Sequence, residues 1–147
     1  MNDLFISGYA SRFDEPDLSG DIVRRGAFAA SLLARVEPFP MLFGHRTDTP
    51  IGVWDRVVED KIGLFVAGRV LDGDATTRRL IETRAVNGLS IGYRTQRATD
   101  RASAGRILNE IELWEVSVVA FPMLRSARIT QIGDNSTTNA PDTRRIA

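Results

Sequence analysis

The sequence contains no cysteine. Disulfides, thiolate metal sites and thiol nucleophiles are therefore excluded. It contains one histidine, His45, so a metal site built from several imidazoles is excluded too, and any histidine chemistry runs through this residue. Lys61 is the one lysine among 19 basic residues; the rest are arginine, a bias that genomic codon usage explains without invoking function. Charge of neither sign is in excess, because 19 basic residues face 19 acidic ones. That balance argues against a general nucleic-acid binder, which carries a clear basic surplus. No apolar run approaches the roughly 18 residues of a membrane-crossing helix, so no membrane partner is expected. Met1-Asn2-Asp3-Leu4 offers no basic region leading into a long apolar core, so no signal peptide is expected and synthesis is placed in the cytoplasm.

What is present suits one domain. At 147 residues, 43% hydrophobic and 26% charged, the composition is that of an ordinary globular chain. A chain of this size buries roughly 68–70% of its extended surface, enough for one core without covalent staples.

Leu4–Phe13 reads as a strand with Gly8 at a bulge, followed by a polar, turn-rich loop through Asp21. Apolar residues at spacings of three and four predict a short helix over Gly26–Val36, stopped before Pro38. Pro40–Gly44 is a short apolar run ending beside His45. Ile51–Val58 and Ile62–Leu71 form an expected hairpin around Glu59-Asp60-Lys61. Asp74 suits an N-cap for a second helix over about 75–86. Leu89–Thr95 reads as a strand, Gln96–Gly105 as a loop, Arg106–Phe121 as a long alternating strand, and Ala127–Thr130 as a last short one. Residues 1–130 make the expected domain; 131–147, with almost nothing to bury, make an expected disordered tail. Six or seven strands with two helices predict a mainly β (α+β) fold, an antiparallel barrel or folded sheet.

Three residues could carry chemistry. Gly88-Leu89-Ser90-Ile91-Gly92 matches G-x-S-x-G, a pattern that arises often by chance. The α/β-hydrolase form of this motif needs a helix after the serine and a histidine later in the chain. Here a strand continues past Ser90 and the sole histidine precedes it, so that fold is excluded. The flanking glycines still allow backbone or substrate to approach Ser90 closely. A serine nucleophile needs a base working near neutral pH, and His45 is the sole imidazole. Alternation along Arg106–Phe121 puts Glu110 and Glu112 on the polar face and Glu115 on the apolar face with Leu113 and Ser117. A carboxylate buried there requires a partner, and a histidine is a natural one. A bend at Trp114 would instead turn Glu115 to water.

A series of short matches runs in order over residues 4–130. They are Gly8-Tyr9-Ala10 with Asp14, Gly20-Asp21, Gly26-Ala27-Phe28, Gly44-His45, Pro50-Ile51-Gly52, Gly63-Leu64, Gly88-Leu89-Ser90-Ile91-Gly92-Tyr93, Leu113-Trp114-Glu115-Val116-Ser117 and Phe121-Pro122. In order and coverage the series resembles the prohead maturation proteases of tailed bacteriophages and gene transfer agents. The resemblance implies a herpesvirus-protease-like β-barrel and a serine endopeptidase. It places Ser90 as nucleophile, His45 as general base and Glu115 as the acidic member that orients the imidazole. The oxyanion would be held by backbone N–H groups or by an arginine. The implied partners are the major capsid protein and its scaffolding segment, with a homodimer allowed, inside the assembling prohead of a bacterial host. No metal or organic cofactor is implied. The family commonly has a small residue and asparagine after the late proline, where this chain has Met123-Leu124-Arg125. The competing readings are a non-catalytic β-barrel module of a virion, and a small serine esterase of another fold.

Overall fold

The computed structural model describes residues 3–71, 73 and 75–133. In chain order they form β1 (Leu4–Arg12), β2 (Ile22–Val23), α1 (Ala29–Ala34), β3 (Phe39–Phe43), β4 (Pro50–Glu59), β5 (Gly63–Val70), α2 (Ala75–Glu82), β6 (Gly88–Asp100), β7 (Arg106–Val119) and β8 (Ile129–Gly133). The N-cap expected at Asp74 lies outside the described residues.

All eight strands join one sheet. β7 is its organising member. One edge of β7 pairs antiparallel with β6 along the full length of both. The other edge takes β2 and then β3, both parallel. Between those two, the segment around α1 takes over the pairing: Ile111 N–H donates to the Ala27 carbonyl at 3.1 Å and Leu113 N–H to Ser31 Oγ at 2.8 Å. β4, β5, β1 and β8 follow in antiparallel order. Most of the sheet is antiparallel, as expected, and the exception is the parallel pairing of β2 and β3 with β7. The cause is the long crossovers that bring β2 and β3 beside β7, a pairing that hairpin connections cannot make.

The expected closed barrel is corrected. The edge strands β6 and β8 do not form a ladder. They meet at one isolated bridge, Gly88–Arg128, flanked by Leu89 N–H to Ala127 O at 2.9 Å and Ile129 N–H to Asn87 O at 2.8 Å. Beyond it the edges part, and β8 continues along β1 instead. A cavity of about 110 Å³ lies in the gap between β1 and β6. β8 also runs to Gly133, so the sheet extends three residues past the domain end expected at 130; residues 134–147 lie outside the described residues.

Two further differences have local causes. The first half of the predicted loop over 96–105 is strand, because β6 continues to Asp100 as a ribbon against β7, and the loop is confined to 101–105. This part of β6 is largely exposed on both faces, so its sequence carries no apolar alternation. The first helix is shorter than expected, six residues, because the chain over Gly26–Phe28 forms a turn instead: Glu59 Oε1 accepts from the N–H groups of Gly26 and Phe28 at 3.1 and 3.2 Å. The register irregularity in β1 against β8 falls at Ser7 and Gly8.

The core lies between the curved inner face of the sheet and the flanking segments. It includes Leu4, Ile6, Phe28, Met41, Trp54, Leu64, Val66 and Leu89. Trp54 ties β4 across to β7, its Nε1 donating to the Val116 carbonyl at 3.0 Å. β7 supplies Leu108, Ile111, Leu113, Val116 and Val118 to this core. That sequence of intervals breaks strict alternation twice, where the β6–β7 register skips Asn109 and Trp114. Each extra residue is a bulge, and each bulge switches which face the following side chains occupy.

Candidate active site

The bulge at Trp114 places Glu115. Leu113 faces the core before it, and Val116 and Val118 face the core after it. Glu115 and Ser117 therefore occupy the opposite face, not the face of Leu113 as strict alternation predicts. The strand does bend at Trp114, yet Glu115 stays buried, its side chain 11% exposed, because the turn after β3 covers it. Trp114 takes the exposed position instead, at 53%.

That turn brings His45. Gly44 and His45 both adopt left-handed backbone conformations, φ +61° and +62°. Glycine does so freely, whereas a residue with a Cβ is strained by about 1–3 kcal/mol. The conformation is held from β7. Gly44 N–H donates to the Val118 carbonyl at 2.9 Å, and His45 N–H donates to Ser117 Oγ at 2.9 Å. The reversal swings the imidazole over β7, where Nδ1 lies 2.7 Å from Glu115 Oε1 and 3.1 Å from Oε2. Ser117 Oγ–H donates to the same carboxylate at 3.0 and 3.2 Å. The lone pairs of a buried carboxylate are thus filled by two side chains, which offsets the cost of removing it from water.

The hydrogen bond His45 donates to Glu115 raises the pKa of His45 above its ordinary 6.5; burial of the ring opposes this, and the negative charge of Glu115 adds to it. Occupying Nδ1 as a donor fixes the tautomer and leaves the Nε2 lone pair available to accept a proton. The imidazole is 43% exposed, so it is accessible from outside.

Ser90 sits on the neighbouring strand. The β6–β7 register places it directly opposite Ser117, and Gly92 directly opposite Glu115. Opposed residues of an antiparallel pair share a face, so Ser90, Glu115 and Ser117 lie on one side of the sheet. Ser90 is 6% exposed, and its hydroxyl makes no hydrogen bond among the described residues. It lines the cavity between β6 and β1, together with Ala10, Asp17, Tyr93, Met123 and Leu124.

The structure therefore brings His45 and Glu115 into contact and sets Ser90 one strand away on the same face, with no hydrogen bond yet joining Ser90 to His45. Glu112 is exposed and bonded to Gln96 and Trp114 instead. Arg46 is exposed, with Asp48 at 3.7 Å. Among the described residues no cluster of three or more His, Cys, Asp or Glu side chains could hold a metal ion. Ser117 is the residue that the sequence reading did not single out. Its two-residue spacing from Glu115 on one strand was the available signal.

An imidazole oriented by a carboxylate, with a serine one strand away on the same face, is the set of side-chain types that a serine hydrolase uses. The fold is shared with viral proteases. The protease of Kaposi's sarcoma-associated herpesvirus, in complex with a hexapeptide phosphonate inhibitor, superposes with a TM-score of 0.65 at 17% identity, over 94% of this chain and 68% of that one. The bacteriophage T4 capsid assembly protease gives 0.63 at 15% identity, over 80% and 81%. Sequence places the chain more narrowly. It belongs to the caudovirus prohead serine protease family, whose model matches residues 1–142. The prohead protease of Enterobacteria phage HK97 is 36% identical over 132 residues, and that of Escherichia phage T5 is 31% identical over 121. These alignments take in 84% and 80% of this chain but 58% and 57% of the relatives, so the chain spans well under two thirds of their length.

Proposed function

We propose that this chain is a serine endopeptidase of capsid maturation, with Ser90 as nucleophile, His45 as general base and Glu115 as the group that orients the imidazole. The observation that carries this reading is the 2.7 Å contact of His45 Nδ1 with Glu115, made on the face of β7 that Ser90 shares across the ladder. In the first step His45 Nε2 takes the Ser90 proton as Oγ attacks the scissile carbonyl. The imidazolium so formed is stabilised by Glu115. It then returns the proton to the departing amine, and water repeats the sequence to release the acyl group.

The substrates are the major capsid protein or its scaffolding segment, cut inside the prohead, the setting that the family name and the T4 relative's printed role suggest. A homodimer is in keeping with the herpesvirus relatives, one of which is described in complex with a dimer disruptor. The test is co-expression with the cognate major capsid protein. A shortened capsid band with the wild-type chain and none with Ser90→Ala is expected. Processing by a well-folded Ser90→Ala protein overturns the assignment. A peptide phosphonate should label Ser90, which an inert structural module would not allow. Turnover of peptides, as well as esters, separates the endopeptidase from an esterase.

A further inference from the structure

We infer that Ser117 is a fourth member of this site, a positioning residue that holds His45 and Glu115 in register with each other. The inference rests on the proposed triad and adds a residue that acts through it.

Ser117 is fully buried. A buried serine in a strand has no packing advantage over alanine or valine, and its hydroxyl is costly unless bonded. Here the hydroxyl is used twice. As acceptor it takes the main-chain N–H of His45 at 2.9 Å. As donor it bonds both oxygens of Glu115 at 3.0 and 3.2 Å. One oxygen atom thus touches the backbone of the proposed base and the carboxylate that orients its ring. The third contact, His45 Nδ1 to Glu115, completes a closed loop of three groups.

Each side of that loop removes one freedom. The bond to the His45 N–H holds a peptide whose left-handed φ of +62° is disfavoured without it. The bond to Glu115 fixes the rotation of the carboxyl group, which would otherwise turn on its flexible stem. Without Ser117 the ring and the carboxylate can still meet, but neither is held where the other needs it. Small displacements of this kind carry large rate penalties in a proton-transfer site.

The experiment uses the full-length chain with a soluble peptide substrate. Ser117→Ala should lower kcat about ten- to a hundredfold, the loss expected for a hydrogen bond to a charged group, with KM little changed. Its distinguishing readout is the titration of His45. As the sole histidine, it gives one set of imidazole NMR signals, followed here in the inactive Ser90→Ala background. Adding Ser117→Ala should move the midpoint downward, toward the ordinary 6.5, because the Glu115 contact that raises it is loosened. If Ser117→Ala does not fold, Ser117→Cys, of similar size but a weak donor, is read in the same way. Wild-type kcat in a folded variant overturns the inference. So does activity lost only in proportion to the folded fraction, or an imidazole midpoint unmoved or raised. Failure of the underlying triad has a different mark, namely turnover by Ser90→Ala itself.

Discussion

Gly92 lies directly across the ladder from Glu115, and the Glu115 carboxyl group occupies the space where a Gly92 side chain would stand. A Cβ built there would approach Glu115 Cδ to 2.8 Å and Oε2 to 3.0 Å. The second glycine of G-x-S-x-G therefore serves the carboxylate, and the motif and the acidic residue are one arrangement. Gly92→Ala should displace the carboxyl group from His45 and lower kcat/KM by tenfold or more. Gly73, whose added Cβ would meet nothing within 4 Å, supplies the control: Gly73→Ala should leave activity unchanged. Peptide cleavage by the two purified variants makes the comparison.

Glu115→Gln should reduce kcat by at least about a hundredfold, since the amide neither stabilises the imidazolium nor favours the correct tautomer. Glu112→Gln, at an exposed position, should remain within about twofold of wild type. The reverse ranking in steady-state assays would move the acidic role to Glu112.

The raised pKa of His45 has opposite consequences for activity and for stability. Only neutral imidazole acts as a base, so kcat/KM should rise with pH through a midpoint above 6.5. The stabilisation from the charged His45–Glu115 pair is fully present below the unfolded value near 6.5 and is lost as pH climbs through the higher folded value. The melting temperature of the wild type should therefore exceed that of His45→Ala most at mildly acidic pH, with the gap narrowing on the alkaline side. Thermal melts of both proteins across that range check the sign, and a gap that widens with pH would contradict it.

Trp114 is half exposed, and its contribution is the extra residue of the bulge and not its ring. Trp114→Ala keeps the bulge and should change activity little. Peptide cleavage and chemical denaturation of Trp114→Ala should both stay close to wild type.

The hairpin of β4 and β5 is legible in the sequence because two strand-like runs flank the charged corner Glu59-Asp60-Lys61. β1 is legible from its β-branched and aromatic residues, and β7 from its alternation. β2 was not, because two residues carry no period. The parallel pairing of β3 with β7 was not, because nothing local in Phe39–Phe43 encodes a partner far along the chain. In the site, His45 stands out by being alone of its kind, and Ser90 by its glycines. Glu115 was reached through a face assignment that the Trp114 bulge reverses. The conclusion that it needs a partner held, because burial, whichever face provides it, imposes that need. Ser117 was passed over because a serine in a strand reads as filler until its two bonds are seen.

The connectivity around β7 implies an order of assembly. Ser90, Gly92, Glu115 and Ser117 all belong to one antiparallel ribbon of consecutive strands, which closes through a short loop. His45 lies 70 residues from Glu115 along the chain and reaches it only when β3 docks parallel to β7. Contacts so distant in sequence form late, because the chain between them must first be closed into a loop. A nascent or partly folded chain would thus bring Ser90 and Glu115 together without His45, the proposed base. By this topology the proposed triad is complete only after β3 has docked, so on that proposal an unfinished molecule would be unable to attack the proteins around it.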